Sequence, residues 1–429
     1  MFYVMAIICF VVVGTLLFLV LFEPGLTYQV KRPGHPLDSD DFVCLIGALA
    51  DAQVHRDSHI EVLTNGKRFY EAELEAIRNA KRSVNLEAYI FRKDETGMRF
   101  VEALTERARA GVKVNVILDA VGSFTTWDST FAQLRKAGGR VEWYQPIRWY
   151  TLKRLNNRTH RELMIVDGEI GFIGGAGIGD VWWEGEKGEP AWRDTMVRVT
   201  GDLVLGLQST FAENWIEAAD EILTGEEYFP ACARMIRDDP GNEENEAVGL
   251  VVVSAPSAGR MTRARVLFQT LLTSASKSIY INSPYFLPDR SVRQALADAA
   301  KRGVSVKVIA PGDHADHLMT RRASRRRYGA LLEAGVEIYE YAPSMIHVKA
   351  LIVDEVWCVV GSTNFDNRSF GLNDEVNLAA RCEPVANRLC EDFERDLSQS
   401  KRITLEEWNS RPITERIVEW AGVIIERQQ

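Results

Sequence analysis

The feature that most constrains this chain is an internal repeat, in which four elements recur in the same order in its two halves. The first is a stretch of helical spacing before a strand-like run: Leu74 and Ile77 before SVNLEAYIF at 83–91, and residues 266–274 before SIYINSPYF at 278–286. Next come a helix, a glycine stop and a strand: RARAGVKVNVIL ending at Leu118, and AAKRGVSVKVIA ending at Ala310. The same grammar returns in LRKAGGRVEWY ending at Tyr144 and LLEAGVEIYEY ending at Tyr341. The fourth element is a histidine leading into an apolar strand: HRELMIVDGEIGFIGG from His160 and HVKALIVDEVWCVVGS from His347. Alternating strands and helices imply βαβ units and a mainly parallel sheet. The apolar strand cores at 114–118 and 352–353 suit sheets covered on both faces. The expected fold class is α/β, with two similar lobes related by a pseudo-twofold.

Outside the repeat, residues 1–22 stand apart, because positions 2–22 carry no charge. A spanning helix needs roughly 20 apolar residues. No basic region precedes the run and no small-residue cleavage site follows it, so it reads as an uncleaved transmembrane anchor rather than a signal peptide. Lys31 and Arg32 follow it, which places the body on the cytoplasmic side by the positive-inside rule. Residues 23–41, rich in Pro, Gly and Asp, read as a linker. The acidic stretch 237–249 separates a first lobe at 42–236 from a second at 250–410. In the tail, 411–429, Ile413, Ile417, Trp420 and Ile424 give an amphipathic helix, docked on the body or lying in the membrane interface. The six cysteines form no CxxC pair and read as buried free thiols. His35, His55 and His59 read as surface residues.

The chemistry is carried by what surrounds the two histidines. In the second half these are His347, Lys349 and Asp354, then Ser362 and Asn364, then Arg368 and Glu375. On a strand His347 and Lys349 share a face, as do Ser362 and Asn364. An imidazole can attack or protonate at neutral pH, a lysine can neutralise phosphoryl oxygens, and a hydroxyl and an amide can bond them. A carboxylate on the second imidazole nitrogen would fix the tautomer, with Asp354 and Glu375 as candidates in this half. The first half offers His160, Asp167 and Asp194, but it has Glu162 in place of the lysine and Gly177 in place of the asparagine. A carboxylate about 4 Å from a phosphodiester costs roughly 4 kcal/mol at an effective dielectric of about 20. Glu162 therefore calls for a partner, such as Arg161 or Arg193, or for a cationic headgroup or an acceptor hydroxyl; otherwise the site is weakened.

The run HxKxxxxD followed by GSxN, from His347 to Asp354 and from Gly361 to Asn364, resembles the signature of the phospholipase D superfamily. His160 and Asp167 match a degenerate copy, and the likeness covers about residues 42–409. The stretches GFIGGAGIGD at 171–180, WRDTMVRVTG at 192–201 and LLEAGVEIYEYAPSMIHVKALIVD at 331–354 look like bacterial cardiolipin synthases. That resemblance implies a covalent phosphohistidine, with His160 as nucleophile and His347 as acid and base. It implies no metal or other cofactor, phospholipid substrates such as phosphatidylglycerol, and a membrane setting. Lys349, Asp167 and Asp354 are then catalytic candidates. Ser362, Asn364, Arg368, Glu162, Asp194, Glu375 and Tyr285 are candidates for binding substrate.

Rival readings rest on particular residues. The run RRASRRR at 321–327 fits a mouth for anionic headgroups, a solvated helix face, or a polynucleotide site in a nuclease of the same superfamily. A net charge of −9 and the apolar first segment weigh against nucleic acid as a partner. Water as acceptor would make the same site a hydrolase, and Glu162 with Gly177 could mark a non-catalytic lipid-binding homologue. Tyr89 and Tyr285 occupy equivalent places; Tyr285 reads as a hydroxyl at the pocket floor and Tyr89 as a core aromatic. His314 and His317 are read as structural or exposed rather than as a metal pair. No obligate protein partner is implied.

Overall fold

Alternation in the strand Ser83–Ala88 explains why a sheet forms at the centre of the first half. Val84, Leu86 and Ala88 enter one apolar cluster, while Asn85 and Glu87 face the opposite side. The computed structural model describes residues 2–21, 28, 30–148, 156–186, 188–230, 247–256 and 261–412. The first sheet runs Ser58–Thr64, Thr195–Gly201, Ile170–Gly174, Leu163–Val166, Ser83–Ala88, Lys113–Asp119, Arg140–Tyr144. The second runs Val54–His55, Val248–Ser254, Glu375–Arg381, Trp357–Gly361, Ala350–Val353, Ser278–Asn282, Ser305–Pro311, Glu337–Tyr341, Ser400–Ile403. Without its two outer strands, the second order repeats the first strand for strand. Gly111 and Gly303, which end equivalent helices, share a φ of 89°, a left-handed turn that favours glycine.

Each sheet is less parallel than the repeat suggests. Only the three strands of each helix-linked run are parallel, and the remaining pairs are antiparallel. Hairpins need only a short turn, so the histidine strand and its successor fold back directly. Two apolar clusters lie chiefly one in each half. A third mixes both halves, joining Ile165, Val197 and Phe211 to Ile352, Val376 and Phe393, and it holds the lobes together.

Three expectations need correction. The helix Asp40–Ala50 and the strand Val54–His55 belong to the second lobe: Phe42, Val43 and Ile46 pack into its core, and Val54 pairs with Leu250. His55 is buried in that strand rather than exposed. Cys44 is exposed and only Cys358 is fully buried among the described cysteines, since Cys44 faces out from the amphipathic helix.

The apolar segment forms one helix, Phe2–Leu21, of 20 residues. Its large apolar side chains from Tyr3 to Val12 are exposed. Among the described residues no helix is long and apolar enough to cross a membrane. Most of the expected tail helix, from residue 413, and most of the acidic boundary at 237–249 lie outside the described residues.

Candidate functional site

The two histidines meet where the lobes meet, and backbone pairing across the pseudo-twofold holds them there. His160 N–H donates to Asp374 O at 2.8 Å, and His347 N–H donates to Arg193 O at 2.7 Å. Asp374 N–H returns a bond to Arg158 O, and Arg193 N–H to Met345 O, each at 2.9 Å. Each histidine is thus carried on a short extended bridge to the other half. His347 and Lys349 precede the strand Ala350–Val353 rather than lying in it, but both side chains still emerge together. Lys349 Nζ lies 3.0 and 3.2 Å from the two ring nitrogens of His347.

The carboxylates that orient the rings cross between halves. His347 Nδ1 bonds Asp194 Oδ2 at 2.8 Å. His160 Nδ1 lies 3.3 Å from Glu375 Oε2 and 3.1 Å from Ser362 O. With acceptors at Nδ1, each ring holds its proton there and leaves Nε2 to react. The expected pairing of a carboxylate with the histidine of its own half is therefore corrected for both rings. Asp194 is itself fixed by Trp182 Nε1 at 3.0 Å, and Glu375 by the Ser362 hydroxyl and by Asn373 Nδ2 at 3.2 Å. Burial, and then the Lys349 ammonium, push the His347 imidazole below its ordinary value, while Asp194 opposes them. Burial likewise lowers Lys349, against the pull of Asp194 and Glu375.

Asp167 and Asp354 are not at this site. Asp354 accepts the N–H groups of Ser276, Lys277 and Ser278 at 2.9, 2.7 and 2.9 Å, and the Ser276 hydroxyl at 2.6 Å. Asp167 does the same for Lys81, Arg82 and Ser83 at 2.9, 2.6 and 2.9 Å. Both occupy left-handed turns, φ 57° and 55°, at the far end of the strand from the histidine. Their reading as catalytic groups is corrected to one of structural clamps. A cavity of about 400 Å³ between residues 32–38 and Asp354 lies at that far end too, away from the histidines.

The other candidates divide. Asn364, two residues after Ser362, is buried, and its amide oxygen has no partner among the described residues. Arg368 holds Asn156, through its side-chain oxygen at 2.8 Å and its carbonyl at 3.2 Å. The Tyr285 hydroxyl donates to Asp316 at 2.6 Å. His314 pairs with Glu189 at 3.0 Å, and among the described residues no cluster of three or more His, Cys, Asp or Glu is placed to hold a metal. Sequence reasoning missed the aromatic walls. Trp182 and Trp192 lie 5.6 and 5.4 Å from the His347 ring. Tyr89, read as core, packs its ring 4.9 Å from His160. The equivalence of Tyr89 with Tyr285 was the available signal.

Glu162 pairs with neither Arg161 nor Arg193. Arg161 binds Glu213 and the carbonyl of Thr210, and Arg193 binds Asp396 and Thr195. The Glu162 carboxyl instead accepts the N–H groups of Tyr89 and Ile90 at 3.1 and 3.3 Å. Burial pushes its pKa well above the usual carboxyl range, against the pull of the two N–H groups and of Lys349, which weakens the repulsion a phosphodiester would meet. Gly177 has no room for an asparagine: a Cβ there would lie 2.6 Å from Ile90 O. Gly175, opposite the serine of the second motif, leaves space for Lys349, whose Nζ a Cβ would meet at 2.8 Å. One lysine thus enters the space of both motifs.

Residues 74–186 and 268–397 match the family described as "Cardiolipin synthase, PLD-like domain". This chain belongs to that family. A cardiolipin synthase of Alkalihalophilus pseudofirmus is 34% identical, over 84% of this chain and 70% of its own length. Cardiolipin synthase 1 of Staphylococcus epidermidis is 35% identical, over 90% of this chain and 77% of its own. Among solved structures, phosphatidylserine synthase of Haemophilus influenzae shares the fold with a TM-score of 0.67 at 16% identity, covering 89% of this chain and 98% of its own. Membership makes this chain an enzyme of the phospholipase D-like class.

Two expected outcomes follow for this family member. Glu162→Gln keeps an oxygen for the two N–H groups, so kcat should stay within about threefold of wild type. Glu162→Lys, which buries a second cation beside Lys349, should lower it more than about tenfold; steady-state kinetics on the pair checks both. Glu87, beneath Thr159 and next to the His160 loop, is raised to about 7, chiefly by burial and against the pull of Arg161. A buried acid raised in the folded state gives stability that is complete below its unfolded pKa and is lost as pH rises through about 7. Between pH 6 and 8 that loss is on the order of 1 kcal/mol, and Glu87→Gln should abolish it in urea unfolding at the two pH values.

Proposed function

We propose that this chain is a membrane-anchored phosphatidyltransferase that makes cardiolipin through a phosphohistidine. The observation that supports it best is the pair of imidazoles from opposite halves, each with its Nδ1 held by a carboxylate of the other half. His160 Nε2 attacks the phosphorus of phosphatidylglycerol. A P–N bond forms, the P–O bond to the terminal glycerol breaks, and His347 delivers the proton to the departing oxygen. His347, now neutral, takes the proton of a hydroxyl on a second phosphatidylglycerol. That oxygen attacks phosphorus, the P–N bond breaks, and His160 is released. Lys349 neutralises the phosphoryl oxygens and the Asn364 amide bonds them, Ser362 holds the Glu375 carboxylate, and the Asp194 carboxylate supports the His347 cation.

The uncharged run at positions 2–22 supports anchoring by its sequence. Lys31 and Arg32 favour a cytoplasmic body. A polynucleotide reading gains little from the arginine run, because Arg321 binds Asp313 and Glu340, and Arg325 binds Glu340. The test is product analysis of the full chain with labelled phosphatidylglycerol, with and without phosphatidylethanolamine. Cardiolipin with stoichiometric glycerol is the expected result. Phosphatidic acid alone would make the protein a hydrolase, and no turnover would remove the phosphatidylglycerol reading.

A further inference from the structure

The loop at 120–127, which follows the strand Lys113–Asp119, presents two aromatic rings to solvent. Phe124 is 76% exposed and Trp127 74%. Their exposure is not fraying, because the residue before each is buried and bonded. The Ser123 hydroxyl donates to Tyr89 O at 2.8 Å and accepts from Phe91 N–H at 2.9 Å. The Thr126 hydroxyl donates to Phe91 O at 2.6 Å. Asp119, at the root of the loop, accepts from Val121 and Gly122 N–H, and also from Thr159 N–H at 3.1 Å, next to His160. The loop is therefore fixed to the elements that carry one reactive ring, and it holds its two large apolar side chains outward.

The same edge of the molecule carries more. Ile147 and Leu318, 62% and 49% exposed, follow the C-terminal ends of the strands Arg140–Tyr144 and Ser305–Pro311. His347 and Lys349 also sit at this edge, since Ala350 pairs with Asn282, the last residue of its strand. The apolar N-terminal helix is tethered here too. Tyr28 N–H donates to Ser291 Oγ at 3.2 Å, at the start of the helix Arg290–Lys301, on the side to which the strand Ser278–Asn282 delivers the chain. Leu21 ends the apolar helix, and the seven residues from there to Tyr28 reach at most about 25 Å.

We propose that this catalytic edge docks on the bilayer itself, with Phe124 and Trp127 as the wedge that enters the interface. The inference rests on the lipid-substrate reading above and names the surface by which that substrate is reached. Aromatic rings settle at headgroup level. The tether keeps the end of the apolar helix within reach of the edge where the rings project, so one membrane can meet both. A lipid phosphodiester then needs to rise only a short way from the headgroup layer to the two imidazoles.

The test uses the full chain in vesicles of phosphatidylglycerol and phosphatidylethanolamine, beside a Phe124→Ser, Trp127→Ser double variant. Turnover of long-chain phosphatidylglycerol in the bilayer should fall about tenfold in the variant. Turnover of dihexanoyl phosphatidylglycerol, dissolved as monomers, should change less than twofold. Equal loss on both substrates would make the loop merely structural and overturn the proposal. A second arm needs no activity: the fluorescence difference between wild type and Trp127→Phe isolates Trp127, which brominated acyl chains should quench by half or more. No quenching overturns the proposal, and shielding from iodide without that quenching assigns the rings to a protein partner instead. If the wild type turns over neither lipid, the proposed reaction fails while the quenching arm still decides the docking.

Discussion

His347→Ala should lower phosphatidyl transfer by about 10⁴-fold or more, and His160→Ala should do the same. In the proposed mechanism the first half-reaction needs an attacking nitrogen and a proton for the leaving oxygen, and the second needs a proton removed from the acceptor. Loss of either ring stops both halves. Because the rings act as one unit, the double variant should be no slower than either single one. Both rings sit on bridges held by backbone bonds, His160 to Asp374 and His347 to Arg193, which alanine leaves in place. Thermal unfolding should therefore shift little, and labelled-lipid assays at matched folded concentration give the comparison. A His160→Ala protein with a tenth of normal activity would show that the motif containing Glu162 is dispensable.

The largest effect on stability is expected at Asp354→Ala, far from the reaction. Its carboxylate accepts three successive N–H groups and the Ser276 hydroxyl. Hydrogen bonds to a charged group contribute about 1.5–3 kcal/mol each, and they do not add fully because alanine lets water reach some of the donors. A loss of about 4 kcal/mol is expected in urea unfolding. Activity per folded molecule should stay within about threefold, whereas a catalytic aspartate would lose it entirely. Asp354→Asn, which retains one acceptor oxygen, should recover about half of the stability.

These two cases mark where sequence reading succeeds and where it stops. The repeat was legible because helix, glycine stop and strand leave periodic traces, and the two sheets follow one order. The histidines, Lys349 and Ser362 were legible because their spacing is local. The crossing carboxylates were not, since Asp194 and His347 lie 153 residues apart and Glu375 and His160 lie 215 apart. Only the contact between lobes pairs them. Asp167 carried a missed signal: Asp-Gly between two strands marks a hairpin turn, a conformational role rather than a chemical one. For Glu162, the residue type suggests a charge, and burial, opposed by two peptide N–H groups, pushes its pKa up.

The crossed arrangement also bears on how such a protein can change through descent. Each motif is finished by the opposite copy, so selection acts on the composite cleft and not on either copy alone. A substitution in one repeat can be tolerated if its counterpart keeps the function, and Lys349 reaching the space opened by Gly175 is a case of this. Two copies that began alike are then free to diverge into donor and acceptor sides. The irregular first motif is in this light a record of specialisation within a shared site, and a fragment carrying either repeat alone would inherit a histidine without the carboxylate that aims it.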